Sequence, residues 1–367
     1  MKENPFKFGT VVDGIYFTDR EDEQSELGSY LKSENHVIII SPRRFGKTSL
    51  IKKILAGSGR RFIYLDMQLV LSEEDFAAQL LKRVYKVFPG QKIKNYIKSF
   101  RIIPSLIMNP VTGEIEISFT PGSRDLAPLE DVLNLIEKLG KPENKVIVVL
   151  DEFQDTSRIN LNLNRMLRPV LQVHKSINYV FMGSSESMIR EIFEKKDSPF
   201  YRFGILYPLG KIPQAKFRLF LEYNFTGIVN DTDTIAGDIL KITGSHPYYT
   251  QQLAFMVWEL IYRTRLPQEK IADLAADEIV TSHDKDFELL WNTLNRTDMM
   301  VLAGMSESDT SPLSDEFSKQ FGTGASSTVF STLKRLIRKG MIVKEDNRYL
   351  IDDPFFKRWI RIRRRAF

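Results

Sequence analysis

Val37–Ile40 is the first uninterrupted apolar block of the chain, four β-branched residues in a row, and the polar turn from Ser41 to Gly46 ends it. Leu50, Ile51, Ile54 and Leu55 then recur at helical spacing. The pattern predicts a buried strand, a loop and a helix. Similar apolar runs at Arg61–Met67, Lys145–Leu150, Tyr179–Met182 and Ile205–Leu209 read as further strands. Between them, 3.6-residue periodicity predicts helices at Glu73–Phe88 (capped by Ser72), Leu126–Leu139, Leu161–Val173 and Glu186–Phe193. An earlier helix starts in the acidic run from Asp19 to Glu23, with Leu27, Tyr30 and Leu31 as its buried stripe. Acids in a first turn suit the helix dipole. An alternating run from Glu114 follows the turn signal Thr112-Gly113 and predicts a hairpin insertion at about residues 102–122. Strands alternating with helices imply an α/β domain over residues 1–212, a parallel sheet sandwiched by helices.

The pattern changes after Pro213. Lys216–Tyr223, Asp233–Ile242, Tyr248–Tyr262 and Ile271–Ser282 read as helices with no strand between them, so residues 213–284 read as a helical domain. Helices at Asp298–Met305, Leu313–Phe321 and Ser326–Lys339 follow, then two short strands around the turn Asp346-Asn347. Three helices and a hairpin make a winged-helix arrangement over residues 285–367. Its third helix carries Lys334, Arg335, Arg338 and Lys339, the candidate DNA contacts. Docking on a protein partner is the alternative. The last eleven residues hold six basic side chains and no acid. This tail reads either as an interaction element for phosphate polymers or acidic surfaces, or as a solvated helix face.

The strand–loop–helix unit at Val37–Leu55 is where chemistry enters. Ser41-Pro42-Arg43-Arg44-Phe45-Gly46-Lys47-Thr48-Ser49 matches the phosphate-binding pattern GxxxxGK[ST], except that Ser41 stands in place of the first glycine. Serine fills that place only if its φ is not positive. Backbone N–H groups of such a loop and of the helix start converge on an anion. Lys47 would reach the outer phosphates, and Thr48 would sit on Mg²⁺. The apolar run ending at Asp151-Glu152 supplies the second half: Asp151 for the Mg²⁺ shell and Glu152 to polarise the attacking water. A third run ends in Gly183-Ser184-Ser185. Ser184 reads as a sensor of the γ-phosphate or the water, or else as a cap of the next helix.

Composition removes other classes. The chain has no cysteine, which excludes disulfides, thiolate metal sites and thiol catalysis. His36, His174, His246 and His283 are scattered without metal-ligand spacing. No stretch has the ~18 apolar residues a membrane helix needs. The N-terminus lacks an apolar signal region. A cytoplasmic protein is expected, with no membrane partner.

Together these motifs resemble the archaeal-type AAA+-like ATPases, within the STAND branch of signalling NTPases. The resemblance rests on Asn4-Pro5-Phe6, Phe17–Glu21, SPRRFGKTSL, VIVVLDEFQD (Val146–Asp155), GSHPYYTQQLA (Gly244–Ala254) and the stretch Asp352–Trp359. It implies a P-loop NTPase fold with a helical lid and a C-terminal winged helix, using ATP and Mg²⁺. It implies that Arg20 lies against the nucleotide base, and that Pro247 with His246 closes over adenine from the lid. In Asp197–Phe203, Arg202 is the candidate phosphate-contacting arginine, although it comes one place earlier than the family's Gly-Arg order. Arg43 and Arg44 are further candidates for phosphate contact or for bridges that hold the loop. The expected function is an ATP-binding, ATP-hydrolysing switch that passes nucleotide state through the lid to the winged helix. The alternative is a non-hydrolysing, nucleotide-holding DNA-binding regulator.

Overall fold

The computed structural model describes residues 3–12, 14–108, 115–119, 127–264, 270–345 and 347–364. The turn Thr112-Gly113, Glu114, Leu126, Asp346 and the final residues 365–367, all used in the sequence reading, lie outside the described residues. The chain forms two compact units. One comprises Glu21–Pro42 and Leu50–Leu209. The other comprises Met1–Arg20, Arg43–Ser49 and Gly210–Phe367.

From Glu21 to Leu209 the chain is built as α1 (Glu21–Lys32), β1 (Val37–Ile40), α2 (Lys47–Gly57, whose first turn to Ser49 is counted with the other unit), β2 (Phe62–Asp66), α3 (Glu73–Val87), α4 (Gly90–Ile97), β3 (Ser105–Met108), β4 (Ile115–Ser118), α5 (Ala127–Leu139), β5 (Val146–Asp151), α6 (Thr156–Ile159), α7 (Leu163–Leu171), β6 (Ile177–Gly183), α8 (Glu186–Glu194) and β7 (Ile205–Pro208). Among the described residues, five of these strands form one sheet in the order β2-β5-β6-β1-β7, with every pairing parallel. Every residue of β1, β5 and β6 is buried. That explains why these strands read as continuous apolar runs rather than alternating ones. The register puts Ile40 level with Gly183, and Asp66 level with Asp151. The strands therefore present their carboxyl ends along one edge, where α/β sheets bind ligands.

Two local features support this sheet. Arg60 donates to the carbonyls of Leu31 and Lys145 and to Asn178 Oδ1, each within 2.8 Å, tying α1 and the starts of β5 and β6 to one guanidinium. Ser72 caps α3 as its sequence predicts, accepting from Asp75 N. β3 and β4 pair antiparallel. The short helix α4, which the periodicity did not reveal, buries Ile93 and Ile97 just after Pro89.

The second unit continues with α9 (Gln214–Phe225), α10 (Thr232–Thr243), α11 (Pro247–Thr264), α12 (Ile271–Ser282), α13 (Asp284–Asn292), α14 (Arg296–Glu307), α15 (Asp315–Phe321), α16 (Ser326–Arg338), β8 (Ile342–Glu345), β9 (Arg348–Ile351) and α17 (Pro354–Arg363). The strands β8 and β9 form an antiparallel hairpin. One continuous apolar core runs from Phe6 through α9–α12 to Trp359 and Ile360 in α17. Phe6 enters it against Phe225, with ring centroids 5.0 Å apart. The N-terminal segment thus packs with the helices that come two hundred residues later.

The basic tail is largely a clamp. Arg358 donates to Asp273 and Asp277 on α12, each at 2.7 Å. Arg363 reaches Asp284 and Arg364 reaches Glu288, both on α13, and Arg361 bonds the Ser306 carbonyl. Lys357 lies 3.7 Å from Asp309. These charges turn inward on acids of their own unit, which accounts for an acid-free tail without an external polyanion.

A related pair joins α14 to α16. Asp298 is 1% exposed at its side chain, and Arg335 at 39% donates to it at 2.5 Å. The two substitutions should differ in cost. Arg335→Met leaves a buried carboxylate with Lys339 3.9 Å away as its other cation, whereas Asp298→Asn leaves a cation that can turn to water. We expect Arg335→Met to lower the denaturant midpoint clearly more than Asp298→Asn. Equal midpoints would show that Asp298 is not paying a desolvation cost.

Candidate functional site

Asp151 is the last residue of β5, buried with a relative exposure of 5%. Its carboxylate accepts a short hydrogen bond from the Tyr64 hydroxyl on neighbouring β2, and its Oδ1 accepts from Glu152 N at 2.9 Å. Glu152 takes a left-handed backbone, φ 51° and ψ 43°, which turns the chain sharply out of the strand. Its Oε2 accepts from Ser184 N at 3.1 Å, Ser184 Oγ at 2.7 Å and Gln154 Nε2 at 2.5 Å. Ser184 therefore holds Glu152. It does not cap α8, whose N-cap Ser185 makes no side-chain cap bond.

Gly183 makes this arrangement possible. A Cβ there would collide with Gln154 Oε1 and, at 2.5 Å, with Ile189 Cγ1. β6 ends in glycine because Gln154 passes close by on its way to Glu152. Neither Tyr64 nor Gln154 stood out in the sequence. Their roles depend on strand register and on a turn after β5, and no local motif encodes either.

Arg202 behaves differently. It precedes β7, whose first residue pairs with the start of β1. This places it at the amino-terminal edge of the sheet, one strand length (~13 Å at ~3.3 Å per residue) from the edge that carries Asp151. It has φ 53°, and its guanidinium lies 5.1 Å from the Tyr201 ring centroid. The two sensor candidates, Ser184 and Arg202, are not brought together.

The loop itself belongs to the other unit. Ser41, just before it, is fully buried and is absent from the residues with positive φ, so serine takes the family glycine's place without strain. Arg44 and Gly46 have φ of 64° and 87°. That alternation curls a loop so that successive N–H groups face one point. Lys47 is buried at 6% exposure and begins α2, which has no acid in its first turn. Arg20, itself in a left-handed conformation, donates to the carbonyls of Phe45 at 3.0 Å and Gly210 at 2.9 Å. It is bound to the loop's backbone. Ser49 Oγ accepts from Val12 N at 3.0 Å.

The lid candidates lie beside this loop. Pro247 is the first residue of α11. His246, just before it, packs edge-on against Phe45 with ring centroids 4.7 Å apart. Among the described residues neither ring nitrogen of His246 has a hydrogen-bond partner, nor does Asp352 Oδ1, which lies 3.8 Å from Nε2. Burial pushes the His246 pKa down to about 3, helped by Lys211 and Arg44. Burial, with the neighbouring Asp353 charge, raises Asp352 to about 7.

Lys334 and Arg338 on α16, and Lys339 just after it, are exposed. Lys334 sits 4.4 Å from the Phe330 ring centroid, and Lys339 donates to the Thr293 carbonyl at 3.3 Å.

A strand-ending aspartate, a glutamate held one residue on, and a glycine-lysine-threonine loop opening a helix define the class of Walker-type P-loop ATPases. Each unit carries donors suited to a magnesium nucleotide: Asp151 in one and Thr48 in the other bear hard oxygens, and the acid-free start of α2 offers a positive helix end. Residues 17–253 match the family model described as an ATPase domain predominantly from Archaea, and residues 285–362 match one described as a probable winged helix domain. The chain belongs to this archaeal-type ATPase family and is an ATP-hydrolysing P-loop enzyme.

Two solved structures share the fold. The Walker-type ATPase PABY2304 of Pyrococcus abyssi matches with a TM-score of 0.66 and 17% identity, over 94% of this chain and 96% of that one. The Aeropyrum pernix ORC2 protein, solved as ADPNP and ADP complexes, matches with a TM-score of 0.54 and 14% identity, over 97% of both chains. No curated protein matches the chain. Among the described residues, no helix is long and apolar enough to cross a membrane.

The Asp352 environment has a signed pH consequence. A carboxyl raised in the folded state contributes stability below its unfolded pKa and loses it as pH rises through the folded value. His246, depressed, acts in the opposite sense and loses stability as pH falls from its ordinary value toward 3. We expect wild type to lose stability relative to Asp352→Asn between pH 4 and pH 7, the window set by the ordinary and raised values, as read by denaturant unfolding. A difference that does not vary with pH would place this carboxyl in water.

Proposed function

We propose that this ATPase is a magnesium-dependent switch whose nucleotide state is passed to the winged helix through the helical segment 213–284. The observation that supports it best is the grip on Glu152. Three donors converge on one carboxylate oxygen, which fixes where a base would stand. In this reading, backbone N–H groups of Arg43–Gly46 and the start of α2 bind phosphate oxygens. Lys47 neutralises the outer phosphates. Thr48 and Asp151 would hold Mg²⁺, which would supply charge stabilisation for the transferred phosphoryl group. Glu152 takes a proton from the attacking water, and Ser184 and Gln154 set its direction. His246 and Pro247 are assigned to the adenine side of the lid.

Lys47→Ala is expected to abolish ATP binding in calorimetry, and Glu152→Gln to retain binding while phosphate release falls to background. Hydrolysis by Glu152→Gln at the wild-type rate would remove the base assignment. An unchanged dissociation constant for Lys47→Ala would remove the loop assignment.

DNA is the partner that we assign to the winged helix, through its α16 face. Arg335 is committed to Asp298 and most tail arginines to acids of their own unit. The contact therefore rests chiefly on Lys334 and Arg338. With about two phosphates neutralised, log affinity should fall against log salt with a slope of about −2. Lys334→Ala with Arg338→Ala should flatten it. No binding at ~50 mM salt, a permissive condition, would make a protein the partner.

A further inference from the structure

Arg44 is the loop residue with the most distinctive surroundings. Its backbone is left-handed, a strained conformation for a non-glycine residue that persists only where the surroundings over-determine it. The neighbours are all in the same unit. The guanidinium donates to the Tyr249 hydroxyl at 3.2 Å and lies 4.7 Å from the Tyr248 ring centroid. Tyr249 is buried at 2% exposure, so its hydroxyl needs partners. The Asp353 carboxylate interacts electrostatically with both Tyr249 and Arg44. Asp353 is the N-cap of α17, accepting from Phe355 N at 2.8 Å and Phe356 N at 3.1 Å.

The next loop residue is held from the same direction. Phe45 packs on His246, whose ring centroid lies 4.4 Å from that of Tyr249. Tyr249 in turn meets Phe355 of α17 edge-on at 5.8 Å. Around these rings stand two adjacent acids, Asp352 and Asp353, opposite Arg44 and Lys211. Lys211 also bridges to Glu345 of the hairpin at 2.9 Å. Two consecutive loop residues are thus tied, one by charge and one by packing, to the element that closes the winged helix.

We propose that Tyr249 and Asp353 are positioning residues for the phosphate loop: through Arg44 they fix its shape, so that the first turn of α17 and the loop are one coupled element. This rests on the reading of residues 41–49 as the phosphate-binding loop. Coupling is reciprocal. A phosphate that competes for the Arg44 charge removes a counter-ion from Asp353 and loosens the start of α17. Anything that pulls on α17 alters the loop in the same measure.

The test is hydrogen exchange by mass spectrometry on the full chain without nucleotide. It compares wild type, Tyr249→Phe and Asp353→Asn. Asparagine caps a helix about as well as aspartate, so Asp353→Asn removes the charge and keeps the cap. Tyr249→Phe removes one hydroxyl. Both should speed exchange of amides 43–49 about fivefold, the factor that one net hydrogen bond corresponds to, although neither substitution lies in the loop. Unchanged loop exchange in both variants would overturn the coupling. In a second arm, ADP added to wild type should change exchange at residues 354–360, and Asp353→Asn should abolish that response. An α17 response to ADP that persists in Asp353→Asn would also count against the proposal. If ADP does not bind at all, the functional reading fails, while the nucleotide-free comparison still decides whether the loop and α17 are coupled.

Discussion

A loop that offers its backbone N–H groups to an anion cannot spend them on holding its own shape. The turn from Arg43 to Gly46 meets this constraint with supports from outside. Arg20 takes the Phe45 carbonyl, Tyr249 takes the Arg44 guanidinium, and His246 packs against the Phe45 ring. Each support acts on a side chain or a carbonyl rather than on a backbone N–H. The same logic explains two strained arginines in this unit. Arg20 and Arg44 both have positive φ, and the side chain of each is held by a hydrogen bond.

The carboxylate side uses a different device. Asp151 and Glu152 are adjacent acids at the end of a fully buried strand, where two ionised groups are costly. Separate donors serve each: the Tyr64 hydroxyl for Asp151, and Ser184 with Gln154 for Glu152. The left-handed turn at Glu152 points the two side chains into different surroundings. Neighbours in sequence can then behave differently because their environments differ.

Much of this was legible in the chain. Strands β1 and β5 announced themselves because both faces are covered, so no polar residue interrupts them. The loop motif and the Asp151-Glu152 pair are local and could be read directly. What stayed hidden was non-local. The Ser184–Glu152 bond spans 32 positions and depends on β5 and β6 lying side by side. The stretch Asp352–Trp359 is legible as a motif, but the inward pairing of the basic residues of α17 is not, because the acids that meet them lie on α12 and α13, some 75–85 residues earlier. Arg335 was read as a DNA contact for the same reason, since Asp298, its partner, is 37 positions away. Helix α4 is too short to show periodicity and begins beside a Pro-Gly pair that signals a turn.

Phe6 and Trp359 belong to one apolar core, and this sets an order of events during synthesis. The sheet unit ends at Leu209 and can collapse while the ribosome is still translating the helices that follow. Phe6 has no such early partner within its own unit. At about 5–20 residues per second, it waits roughly two to ten seconds after Leu209 is made before all of its ring neighbours, Phe220, Phe225 and Trp258, exist. During that interval the nascent chain carries an exposed aromatic anchor ahead of an already compact sheet, which is when a chaperone has most to protect.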